Sequence, residues 1–196
     1  ATRAAAVLDE HRLQRVVADR DGAGEALVFT RGAVVEAGPA QDGAPPERGD
    51  PRVVTETQPV RQAVLALGYR TPVRFASPDY PALLVFNGVL GGFPHSKLFV
   101  HVRERNSLAY FVYSRVEASQ GTLLVSAGVD PALQDRALAI IQEQLDAVRR
   151  GEVAPDEVEA TRRALVRRWR VDEDDPHALV DHYLLGLING RQRPFV

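Results

Sequence analysis

From Val60 onward the apolar positions of this chain fall into short, well-bounded periods. Val60 to Tyr69 (VRQAVLALGY) reads as a strand closed by Thr71-Pro72. Ser77-Pro78 has the form of an N-cap followed by proline at the first helical position, opening a helix through Leu83, Leu84, Phe86, Val89 and Leu90. Gly91-Gly92 stop it, and a short helix is expected from His95 to Glu104. Two strands follow, Leu108 to Val116 and Thr122 to Val129, and Glu117 to Gly121 between them predicts a hairpin. Asp130-Pro131 opens a helix that puts Leu133, Ala137, Ile140, Ile141, Leu145 and Val148 on one face and ends at Gly151. A further helix starts near Pro155-Asp156-Glu157, whose acids suit its positive end. Asp175-Pro176 opens the last, through Leu179, Tyr183, Leu184 and Leu187. Strand, helix, helix, hairpin and three helices predict an α+β fold: a two-layer sandwich of mostly antiparallel sheet with helices packed on one face.

The first part of the chain is patterned differently. Residues 1 to about 57 are rich in Ala, Gly, Pro and charge, with one β-like run, Ala26 to Thr30. Val7, Leu13 and Val17 recur loosely and suggest a helix over Ala4 to Ala18. Gly38 to Pro46 reads as a linker, because its prolines remove donors and its glycines raise the entropy cost of ordering. The expected division is therefore residues 1–57, the tail of a preceding domain plus linker, and residues 58–196, the domain proper.

Composition narrows the function classes. A net charge of −2 offers no global attraction to nucleic acid or an anionic membrane. Without cysteine there is no disulfide, thiolate metal site or cysteine nucleophile, as fits a reducing cytoplasm. No apolar run has the length of a membrane span. The chain contains no Met and begins without one, so it is expected to be a fragment or processed piece.

The chemistry concentrates between Val89 and Ser114, VLGGFPHSKLFVHVRERNSLAYFVYS. Arg103 stands near the end of the short helix and Tyr110 seven residues later, early in a strand. A guanidinium offers a fork of donors to a peptide carbonyl or carboxylate. A phenol donates to an oxygen that becomes negative during peptide hydrolysis. The residues alone leave a second reading open, in which Arg103 pairs with a surface acid and Tyr110 packs.

The segment resembles the C-terminal homologous domain of the pitrilysin/insulinase family of zinc peptidases, of the mitochondrial processing peptidase type. The resemblance is carried by Gly91-Gly92, Ser96-Lys97-Leu98-Phe99, Val102-Arg103-Glu104-Arg105 and Leu108-Ala109-Tyr110. It extends from about Thr57 to Phe195, through Gln62, Gly68-Tyr69 and Ser126 to Val129. The variant Gly-Gly-Phe-Pro-His-Ser-Lys-Leu-Phe is most similar to the bacterial subunit that lacks the zinc motif and works beside a zinc-bearing paralogue. The resemblance implies two related halves closing around a chamber. One half holds zinc on a His-x-x-Glu-His helix with a distal Glu; the other holds the peptide through an Arg and a Tyr. Arg103 and Tyr110 match that pair, so this chain is expected to be inactive alone, without a cofactor of its own. Its expected partners are a peptide substrate and a zinc-bearing homologous domain or subunit, in a heterodimer or homo-oligomer.

No zinc motif is readable here. His101 and Glu104 are followed by Arg105 where a second ligand would stand. His177 and His182 are five apart and fall off one helical face. His95 is expected at a helix start, and His11 carries no signal. Arg162, Arg163, Arg167, Arg168 and Arg170 surround Trp169, but Asp172 to Asp175 follow at once. With Leu165, Val166 and Trp169 as an apolar stripe, the arginines read as a solvated helix face rather than a nucleic-acid site. A non-proteolytic scaffold subunit of the same family is the alternative.

Overall fold

A computed structural model describes residues 14–20, 24–28, 54–57 and 62–190, with side chains described for 62–190. Six strands make one sheet: β1 (Gln14–Arg20), β2 (Gly24–Val28), β3 (Val54–Thr57), β4 (Ala63–Arg70), β5 (Ala109–Glu117) and β6 (Thr122–Val129). Their order is β1-β3-β2-β4-β6-β5, and β4, β6 and β5 run antiparallel. Period-two alternation explains how this sheet acquires an inside. Ala63, Leu65, Leu67 and Tyr69 of β4 and Leu123, Val125, Ala127 and Val129 of β6 are all buried on one face. The hairpin turns through Gly121, whose φ of +62° is costly for any residue with a Cβ.

Helices cover that face. α1 (Tyr80–Asn87) buries Leu83 and Phe86 and runs directly into a π-wound turn, Gly88–Gly92. Gly91 lets this turn lie on the sheet, since a Cβ there would stand 2.7 Å from Ser114 N of β5. A second π-wound helix, Phe99–Glu104, buries Val102. Asp130 accepts a hydrogen bond from Ala132 N at 2.8 Å and starts a 3₁₀ turn, Pro131–Leu133, leading into α2 (Gln134–Arg149). α2 packs Ala137, Ile141, Leu145 and Val148 into the core that Phe86, Leu65 and Val125 share. Burying each of these larger side chains contributes about 1.5–3 kcal/mol. α3 (Pro155–Asp172) and α4 (Pro176–Ile188) follow. The fold is thus the expected α+β one.

Several expectations are corrected. Gln14 to Ala18, placed in a helix, belong to β1; the adjacent β-branched Val16 and Val17 pair with Ala66 and Leu65 of β4. Residues 4–13 and the linker 38–46 lie outside the described residues. Three strands occur before residue 58, where the sequence suggested one. Ser77 does not cap α1: its Oγ accepts from Arg74 N at 2.8 Å within a preceding turn, and Asp79 stands at the N-cap. Tyr183, Leu184 and Leu187 of α4 point away from the core, together with Val180 and Ile188. That helix faces the body through Gly186 and His182, whose ring meets Phe75 at 6.4 Å. Trp169, in the apolar stripe of α3, is 45% exposed.

A helix-to-strand corner as candidate functional site

The chain between Phe99 and Phe111 departs from regular geometry three times in succession. Phe99–Glu104 is wound as a π-helix, a form frequent at functional sites. Ser107 then has φ +50°, the left-handed region that turns the chain sharply into β5. Its N–H reaches back to Arg103 O at 3.1 Å, and Leu108 N to Val102 O at 2.9 Å. Finally, β5 opens with a β-bulge: Ala109 pairs with Val129 and Phe111 with Gly128, which leaves Tyr110 without a partner in β6.

These irregularities set the two predicted side chains. Arg103 is exposed at the end of the π-wound helix, its guanidinium carbon 4.9 Å from the centre of the Phe99 ring. A cation over a ring face is held there at little cost to its hydrogen-bonding capacity. Among the described residues it has no carboxylate partner. Tyr110 is 65% exposed, and its hydroxyl likewise has no hydrogen-bond partner among the described residues. The structure places both at one corner, on elements that pack together, with no hydrogen bond between them.

Sequence reasoning passed over the residues that secure this corner. Asn106 Nδ2 donates to His101 O at 2.8 Å, and Arg136 of α2 donates to Asn106 Oδ1 at 3.2 Å. Lys97, at the start of the corner, pairs with Glu157 of α3 at 3.0 Å. The Phe99–Arg103 stack was legible as an i, i+4 pair; the Asn106 bridge depends on a helix 30 residues away. His101 has its pKa lowered, first by burial and then by the charges of Arg105 and Lys97.

Two further histidines, His95 and His182, make contacts within the fold. His95 does not start a helix; its Nε2 is 3.1 Å from Thr161 Oγ1, and its ring stacks on Phe93. His182 packs between Phe75 and Tyr183. Among the described residues no group of three or more His, Asp or Glu could hold a metal ion. Along α3, Arg162 and Arg163 pair with Glu159 and Arg168 with Asp172 on an exposed face. No helix among the described residues is long and apolar enough to cross a membrane.

The described residues thus form an α+β domain in which helices cover one face of a largely antiparallel sheet. Residues 31–165 match the family described as the peptidase M16 inactive domain, and the chain belongs to that family. It is 40% identical over 129 residues to the probable inactive metalloprotease YmfF of Bacillus subtilis, covering 66% of this chain and 30% of that protein. It is 36% identical over 104 residues to an uncharacterized zinc protease of Mycobacterium bovis, covering 52% and 24%. A conserved protein from Enterococcus faecalis has a solved structure with TM-score 0.64 and 32% identity over 69% of this chain and 32% of its own. The chain therefore spans under a third of the length of these relatives.

Proposed function

We propose that this chain is the substrate-holding, non-zinc half of an M16-type metallopeptidase. Arg103 donates to a backbone carbonyl of an extended peptide, and Tyr110 donates to the carbonyl oxygen that turns anionic during hydrolysis. The metal and the general base come from a zinc-bearing homologous domain or subunit. Residues 58–196 carry the peptide-holding corner, and residues 1–57 lead in from a preceding half while contributing β1, β2 and β3 to the sheet. The site of action is the cytoplasm, and the substrate is an unfolded peptide.

The observation that supports this reading is a pair of donors, Arg103 and Tyr110, without hydrogen-bond partners among the described residues, at a corner that three backbone irregularities build. Backbone irregularities of this kind cluster at functional sites. The name of the B. subtilis relative, a probable inactive metalloprotease, favours a second reading: a scaffold subunit without proteolysis.

Hydrolysis of a quenched-fluorescent peptide library separates the two. The assay compares the chain alone, the chain with a zinc-motif subunit of the same organism, and that mixture carrying Arg103→Ala or Tyr110→Phe. Activity confined to the mixture, with kcat/KM falling about 10²-fold in Tyr110→Phe, is the expected result. Activity indifferent to both substitutions, or none at all, overturns the substrate-holding role.

A further inference from the structure

The Phe-Pro-His part of the sequence motif has no role in the corner, yet it forms one wall of a groove. This open cavity, about 800 Å³, lies beside the π-wound helix and within the range of ligand-binding clefts. Phe93, Pro94, Val100 and Ala164 give it apolar surface, and Glu104 and Arg167 bring opposite charges to it. Neither Glu104 nor Arg167 has an ion-pair partner among the described residues.

The wall is built before any ligand arrives. The His95 ring lies 8° from parallel with Phe93 at 5.5 Å and is fixed from below by Thr161, which is fully buried. Gly88 makes room for both, since a Cβ there would run into Thr161 Cγ2 and stand 3.0 Å from Phe93 Cε2. The groove shares the π-wound helix Phe99–Glu104 with the proposed peptide-holding corner. Val100 and Glu104, which line it, each follow by one residue the stacked pair Phe99 and Arg103.

We infer that this groove is a distal subsite that takes a large apolar side chain of the bound peptide, several residues from the bond to be cut. The apolar surface receives the side chain, the Arg167 guanidinium donates to a peptide carbonyl, and the Glu104 carboxylate accepts from a peptide N–H. Both charges thereby match the two ends of a peptide dipole, which a bare apolar patch does not. The inference rests on the reading of Arg103 and Tyr110 as the peptide-holding pair.

Photo-crosslinking tests it without requiring turnover. Peptides carrying photo-leucine at successive positions are irradiated with the full chain mixed with the zinc-bearing subunit, and the adducts are mapped by mass spectrometry. Adducts at Phe93 to His95 or at Ala164 to Val171 are expected, from one or two peptide positions only. Ala164→Trp, which fills the groove, lowers them at least fivefold while adducts near Tyr110 persist; Arg167→Glu does so if the tryptophan variant fails to fold. Adducts elsewhere, or groove adducts unchanged in a folded Ala164→Trp or Arg167→Glu chain, overturn the subsite. Groove adducts that survive Arg103→Ala undiminished instead overturn the corner as the peptide-holding element and leave the groove standing.

Discussion

Gly88 and Thr161 make the packing of the π-wound turn on α3 open to a quantitative test. A methyl at Gly88 would collide with Thr161 Cγ2 and crowd Phe93 Cε2 at 3.0 Å, inside a fully buried contact. Overpacking of this kind costs about 1–3 kcal/mol, and replacing a helical glycine by alanine returns at most about 1 kcal/mol. Gly88→Ala is therefore expected to destabilise the chain by about 1–2 kcal/mol. Thr161→Ser deletes the colliding methyl, keeps the hydroxyl that meets His95 at 3.1 Å, and costs about 1 kcal/mol. In the double variant the new methyl occupies the space of the deleted one. Its loss should then stay below about 1 kcal/mol, a coupling of about 2 kcal/mol. Guanidinium denaturation of the four chains measures this, provided the m-values agree. Additivity within about 0.5 kcal/mol would refute the argument, because residues that do not touch behave that way.

Three other outcomes follow from named residues. Gly121→Ala, at φ +62° and with its Cβ 2.7 Å from Thr71 O, should cost more than Gly151→Ala at φ +77°, which meets nothing within 4 Å. The second cost is backbone strain alone, about 1–2 kcal/mol, so equal midpoints in denaturant would contradict the hairpin geometry. Tyr69→Phe removes a buried hydroxyl that has no hydrogen-bond partner among the described residues, and whose pKa burial pushes up; it should leave stability unchanged or raise it by about 1 kcal/mol. A clear loss would reveal a partner for that hydroxyl. His101, with its pKa lowered by burial and then by Arg105 and Lys97, binds its proton less readily in the folded chain than in the unfolded one. Its contribution is whole above the unfolded value near 6.5, falls as pH drops through that value, and levels off below the folded one. An NMR titration should place the His101 midpoint below 6.5, and His101→Gln should flatten that part of the stability profile.

From Ala63 to Ile188 the sequence announced nearly every element, because amphipathic periods, caps and glycine stops are local signals. Leu123, Val125, Ala127 and Val129 alternate as a half-buried strand must, and they are all fully buried. Asp130 and Asp175 cap as written, each accepting from a backbone N–H two residues on. What escaped was set by a competing local turn or by tertiary partners. Ser77 looked like an N-cap until Arg74 N claimed its hydroxyl. Val16 and Val17 had no visible reason to be a strand without β4 beside them. At the corner, residue types and family resemblance singled out Arg103 and Tyr110. The π winding, the positive φ of Ser107 and the bridge from Asn106 to Arg136 left no periodic trace.

The bulge at Tyr110 has a corollary for substitution. Ala109 pairs with Val129 and Phe111 with Gly128, so the tyrosine is an insertion that the strand ladder skips. Deleting it would restore an unbroken register, and replacing it would disturb no cross-strand pair. The residue assigned to chemistry thus lies outside the set that the fold must keep. Exchanging the phenol for another side chain is therefore a change that the pairing of β5 with β6 does not register.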